Sequence, residues 1–149
     1  NGNLNNWWTE EDAVKFKALG MALADQYSAI EVLPETNING EFTLGENIGD
    51  LGGINVAYDA LQLYYNENGR PDKIDGFTGE QRYFMSWATV WRSKYRDEAL
   101  KNQIKTDPHS PGMVRAGQPL KNVDAFYKAF NIKEGDGMFL AEDQRVKIW

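Results

Sequence analysis

A mainly helical fold in a single domain is what this sequence predicts, and three observations predict it. Apolar residues recur at helical spacing in two long runs, from about residue 10 to 28 and from about Leu44 to Gly69. Helix-opening signals stand at Thr9-Glu10-Glu11-Asp12 and Thr78-Gly79-Glu80-Gln81, each a hydroxyl cap with a carboxylate or amide three residues on. A length of 149 residues with 42% hydrophobic and 13% aromatic content is enough for one real core and too short for two.

The first helix follows Thr9, whose side chain can cap it, with negative charge gathered in the first turn. Residues 31–43, EVLPETNINGEFT, are broken by Pro34 and Gly40 and read as loop with a short extended piece. The second helix ends in the polar tail YYNENG, with Gly69 as its stop. A third opens at Thr78 and runs through YFMSWATVWRSKY, and a shorter one covers RDEALKNQIK. Residues 106–121, with three prolines and two glycines, read as loop. Asn122 is placed to cap a last short helix, VDAFYKAF, before an irregular tail that ends at Trp149.

A net charge of −6 with no basic stripe excludes nucleic acid as the main partner. No run of about 18 apolar residues spans a membrane, and the absence of cysteine excludes disulfides and thiol chemistry. The opening NGNLNNWWTEED has no initiator Met, basic n-region or apolar h-region, so the chain reads as a piece of a longer polypeptide.

One stretch of the second helix asks for an explanation. GENIGDLGG, residues 45–53, sets Glu46 and Asp50 one turn apart, where like charges repel by a few tenths of a kcal/mol. On a wheel of about 100° per residue, Asn55, Asp59, Gln62 and Asn66 face water, and Leu51, Ile54, Tyr58, Leu61 and Tyr65 form an apolar stripe. The sector of Glu46 and Asp50 continues through Gly53, Ala57 and Ala60, a row of small side chains that admits a neighbouring backbone. Carboxylates heading such a seam need a partner or a cation, because desolvating them bare costs several kcal/mol. The competing explanation is a first helical turn whose dipole favours negative charge.

ENIGDLGG resembles the ENxxDxGG motif of the neprilysin family of zinc metallopeptidases, in its bacterial oligopeptidase O-like branch. The DPHSPGMVR segment is similar to that family's DxHSPxxxR core, RVKIW to its chain ending, and NGNLNNWWT to the stretch after its zinc helix. The resemblance covers essentially the whole chain. It implies the C-terminal helical portion of a thermolysin-like zincin catalytic domain, acting in the full-length protein as a zinc endopeptidase on short peptides.

By that resemblance Glu46 is the third zinc ligand and Asp50 the carboxylate that orients a ligand histidine through its other ring nitrogen. His109, the one histidine in the chain, matches the group that donates a hydrogen bond to the oxyanion, with Asp107 orienting its ring. Arg115 matches the arginine that grips a substrate carbonyl, and Val90 and Trp91 match residues lining the apolar pocket beyond the scissile bond. On periodicity alone these two are core, and Trp87 is expected to pack on Trp91. Asn47 belongs to the motif by geometry and takes no catalytic role. Gly52 and Gly53 are explained by close approach of the zinc-bearing helix, and Trp7, Trp8 and Trp149 are structural.

No H-E-x-x-H occurs in these residues. The chain is therefore expected to hold no tight zinc and to cleave nothing alone, and its bare apolar faces invite self-association or pairing with the missing N-terminal part of the same polypeptide. The lack of cysteine points to a bacterial-type relative, with the cell envelope or periplasm favoured over the cytoplasm. The rival reading is a non-catalytic module that binds peptides or carbohydrates through exposed tryptophans.

Overall fold

Two long helices packed against each other set the frame, in a computed structural model that describes residues 2–148. Trp149, expected to be structural, lies outside the described residues. Helix α1 spans Glu10–Ser28 and opens as predicted, with Thr9 Oγ1 accepting the Asp12 backbone N–H at 3.1 Å. Its buried face is Gly20, Leu23, Ala24 and Tyr27. Ahead of it Trp7 stacks on Trp8 at 4.7 Å, and Trp8 meets Phe16 at 5.0 Å, which ties the start of the chain to α1.

The loop expected at 31–43 contains a small antiparallel hairpin, β1 (Glu31–Leu33) with β2 (Thr36–Asn37). Its turn holds Glu35 at φ 58°, and the Glu35 N–H donates to the Glu31 carboxylate. At Gly40 the chain presses against α1 so closely that a Cβ would overlap the Ala24 carbonyl oxygen. Any side chain there would push α1 away from the helix that follows.

Helix α2 covers Leu44–Asn68 and stops at Gly69, φ 81°. Leu51, Ile54 and Tyr65 are buried and Tyr58 and Leu61 half-buried, so the predicted apolar stripe is the inner face. The Glu46–Asp50 sector divides. Asp50 is buried, whereas Glu46, Gly53, Ala57 and Ala60 are exposed, and a Cβ on Gly53 would meet nothing within 4 Å. Within this chain the small-residue seam is bare, and the packed seam expected from the wheel is not formed by these residues.

Helix α3 (Gly79–Val90) has the predicted capping box of Thr78 and Gln81. It ends five residues short of the expected end at Tyr95. Gly112 sits so close to the Trp91 carbonyl and Ser93 Oγ that a Cβ would collide with both, and the chain from Trp91 to Ser93 leaves the helical path to make that contact. Helix α4 (Asp97–Thr106) occupies the predicted shorter stretch.

The 106–121 stretch corrects the sequence reading. After the residues 107–111 come helix α5 (Gly112–Gly117) and a 3-10 turn at Pro119–Asn122. Pro111 precedes α5 and Pro119 opens the 3-10 turn, positions where the missing N–H costs nothing. These prolines start helices rather than break them. Helix α6 (Asp124–Phe130) follows Val123, so Asn122 is not its cap. The Asn122 amide is buried instead, exchanging hydrogen bonds with Gln26 on α1 and accepting the Val146 N–H.

The core lies where α1, α2, α3 and α6 meet. Phe84 is its centre, stacked on Tyr58 at 5.4 Å and edge-on to Phe126 at 5.5 Å. Full burial of such a ring contributes about 2–3 kcal/mol. No helix among the described residues is long and apolar enough to cross a membrane.

Candidate active site

Three elements converge on one cavity of about 360 Å³. Val90, Trp91, Asp107, His109 and Arg115 all line it, together with Tyr95 and Gln103. Five of the seven residues singled out in the sequence therefore share a wall, and the other two, Glu46 and Asp50, bond to His109 and Arg115. A cavity of about 720 Å³ lies between the hairpin and α4, lined by Phe42, Lys101 and Lys105 among others. It contains none of the residues of either motif.

His109 is held between two carboxylates. Its Nδ1 lies 2.7 Å from Asp107 Oδ1, and its Nε2 lies 2.9 Å from Glu46 Oε2. The Asp107 carboxylate also accepts the His109 backbone N–H at 2.9 Å, closing a short loop stiffened by Pro108 and Pro111. That backbone hydrogen bond, followed by the imidazole contact, holds the Asp107 carboxyl below the ordinary carboxylate range. His109 and Glu46 are each about half-exposed, at 40% and 46%.

Arg115 and Asp50 form a buried bidentate pair. Arg115 Nε donates to Asp50 Oδ2 at 2.7 Å and Nη2 to Oδ1 at 2.6 Å. The guanidinium lies over the Trp91 ring at 3.7 Å. Burial works against its charge, but the hydrogen bonds and charge of Asp50, with Glu46 behind, raise its pKa above the ordinary arginine value. Trp87 donates its indole N–H to the Arg115 carbonyl and meets Trp91 edge-on at 5.5 Å, the packing the sequence predicted for the two rings.

Sequence reasoning paired Asp50 with a histidine and Arg115 with a substrate, and so missed that the two bond to each other. The signal was available only in space, since 65 residues separate them. Two further polar groups were missed. Ser110 donates to Asn47 at 2.9 Å in the interior, and the buried Tyr27 hydroxyl has no hydrogen-bond partner among the described residues. Desolvation, reinforced by Asp50, pushes the Tyr27 pKa up.

A metal fits these residues only in part. Among the described residues no group of three His, Cys, Asp or Glu could hold one. Glu46 is a single exposed donor on the face of α2 that continues into the bare Gly53–Ala57 seam. Such a donor set suits one ligand of a site, not a whole site.

Comparison with known proteins places the chain among metallopeptidases in sequence and in fold. The chain is 36% identical over 148 residues to a neutral endopeptidase of Lactobacillus helveticus, covering 99% of this chain and 21% of that protein. It is 35% identical to human neprilysin over 99% of this chain and 20% of that protein. In structure it resembles the zinc metalloprotease ZMP1 of Mycobacterium tuberculosis, solved with an inhibitor, at a TM-score of 0.94 and 44% identity. That match covers 99% of this chain and 23% of ZMP1. PepO from Lactobacillus rhamnosis matches at a TM-score of 0.82 and 33% identity, over 99% of this chain and 22% of that one. The chain thus spans about a fifth of the length of the curated relatives it matches. The sequence model of peptidase family M13 matches residues 1–146, and the chain belongs to that family.

Proposed function

We propose that this chain is the C-terminal part of a zinc endopeptidase that hydrolyses short peptides, and that it supplies one side of the active site. The observation that carries the reading is one cavity lined by Asp107 and His109 of the 107–111 loop and Arg115 of α5, with Glu46 of α2 bonded to His109. Glu46 would be the carboxylate ligand, with the remaining ligands outside this chain. Zinc, when bound, polarises the scissile carbonyl and lowers the pKa of water.

The work of the chain's own residues follows from their contacts. The His109 Nε2 now directed at Glu46 is the nitrogen that, carrying a proton, would donate to the oxyanion, a contact worth about 3–4 kcal/mol of barrier in comparable sites. With both ring nitrogens protonated, Asp107 accepts from Nδ1–H and holds the ring so that Nε2–H faces the substrate. Arg115 is fixed by Asp50 and Trp91, which leaves Nη1 to take a substrate carbonyl with little further ordering. Val90, largely exposed, and the Trp91 ring offer an apolar wall to the side chain after the cleaved bond. Asp50 can serve both Arg115 and a ligand imidazole, since a carboxylate accepts about four hydrogen bonds.

The test uses the full-length polypeptide. Glu46→Gln is expected to abolish zinc retention, while His109→Phe keeps zinc and loses turnover. Metal analysis and peptide cleavage read the two apart, and full activity in both variants would sink the assignment. The upstream reading frame is a cheaper check: an H-E-x-x-H motif there is expected, and a frame without one favours the binding-module alternative.

A further inference from the structure

Glu46 and His109 come from separate elements, and the bonds that set their spacing lie one residue along from each. Ser110 follows His109, is 2% exposed, and donates its Oγ–H to Asn47 Oδ1 at 2.9 Å. Asn47 follows Glu46, is 1% exposed, and donates Nδ2–H to Thr43 Oγ1 at 2.9 Å. Thr43 donates in turn to the Asn39 carbonyl at 3.1 Å. The chain of donors runs from the His109 loop through the first turn of α2 into the segment before it.

Other contacts do not do this. The Asp107 bonds to His109 stay within one loop and cannot fix that loop against α2. The Arg115–Asp50 pair joins α5 to α2 one turn further on. Besides the His109–Glu46 contact itself, Ser110–Asn47 is the hydrogen bond among the described residues that joins residues 107–111 to α2. An apolar pair could fill the same volume without the risk of an unpaired buried amide. It would also tolerate sliding, whereas a donor–acceptor pair specifies one register.

We propose that Asn47 and Ser110 are positioning residues, a buried latch that holds the His109 imidazole within hydrogen-bonding reach of the atoms gathered at Glu46. The functional side of this inference rests on the peptidase reading; its structural side does not.

The chain's single histidine makes the structural side directly readable, because the imidazole C–H resonances have one possible source. Wild type is expected to give one ordered set. Ser110→Ala, folded by circular dichroism, is expected to give a lowered ring order parameter or several resonance sets, and Ser110→Thr, which keeps the hydroxyl, to return toward wild type. Asn47→Ala attacks the latch from the other side; should it fail to fold, Ser110→Ala, which only removes one oxygen, carries the test. Wild-type ring order in folded Ser110→Ala overturns the proposal.

In the zinc-loaded full-length enzyme, Ser110→Ala is expected to lower kcat on the order of 10- to 100-fold, with KM and zinc content within about twofold. A raised KM at unchanged kcat also overturns the latch. If wild type cleaves no peptide while the ring still loosens in Ser110→Ala, the peptidase reading fails and the latch stands.

Discussion

The two sides of α2 differ in how they are finished. On one side Asn47, Asp50, Leu51 and Ile54 are buried, and each polar group among them is bonded to a partner elsewhere in the chain. On the other, Gly53, Val56, Ala57, Ala60 and Leu63 are exposed with no partner element over them. Solvent-facing helix surfaces are ordinarily polar. The difference teaches that one side of α2 is finished by this chain's own bonds, and that the other is left uncovered by the described residues.

Breaking the inner side should cost most. Asp50→Ala strands the Arg115 guanidinium, 14% exposed, without its carboxylate, and is expected to lower unfolding free energy by about 3 kcal/mol. Denaturant unfolding measures it, and Arg115→Met added to Asp50→Ala should recover part of the loss. A cost below about 0.5 kcal/mol, the range of ordinary surface substitutions, would mean that the pair does not join α2 to α5.

The far end of the chain offers a milder contrast, since its ion pairs are partly wet. Lys147, against the opposing effect of burial and with help from Arg145, holds the Asp124 carboxyl below the ordinary aspartate value of 3.8. A depressed carboxyl stabilises the fold fully above that ordinary value, and the contribution disappears as pH falls through the folded value. Asp124→Asn should therefore cost under about 1 kcal/mol at pH 6 and flatten part of the acid limb of a stability–pH curve. An unchanged acid limb would remove Asp124 from the account.

The smallest effect belongs to the bare side. Ala57→Leu is expected to leave the stability of this chain within about 0.5 kcal/mol, because nothing covers that position. In the full-length polypeptide the same change should impair zinc retention by obstructing whatever docks there. A loss above 1 kcal/mol in the chain alone, made worse by dilution, would instead point to a second copy seated on the face.

Much of this was legible in the sequence, for identifiable reasons. Helix openings at Thr9 and Thr78 depend on side chains and N–H groups three residues apart, so the local sequence contains the whole interaction. The inner face of α2 follows from periodicity. Helix α5 was hidden because Pro111 and Pro119 act as starters only when the surrounding chain lets them. The early end of α3 is set by Gly112, more than twenty residues downstream. The second motif contains Asp107, His109 and Arg115, which line the cavity, and the first contains Glu46 and Asp50, which bond to them, but neither shows the Asp50–Arg115 bond, because a resemblance transfers roles and leaves partners to be found in space.

The tail adds one more consequence. Val146 bonds to Asn122, which is itself bonded to Gln26 on α1, while Arg145 and Lys147 grip Asp124 and the Tyr127 hydroxyl accepts the Leu140 N–H. Tension applied at the end of the chain would thus be shared at once with its first helix. The last residues tie α6 directly and α1 through Asn122, so trimming them should loosen α6 and α1 together.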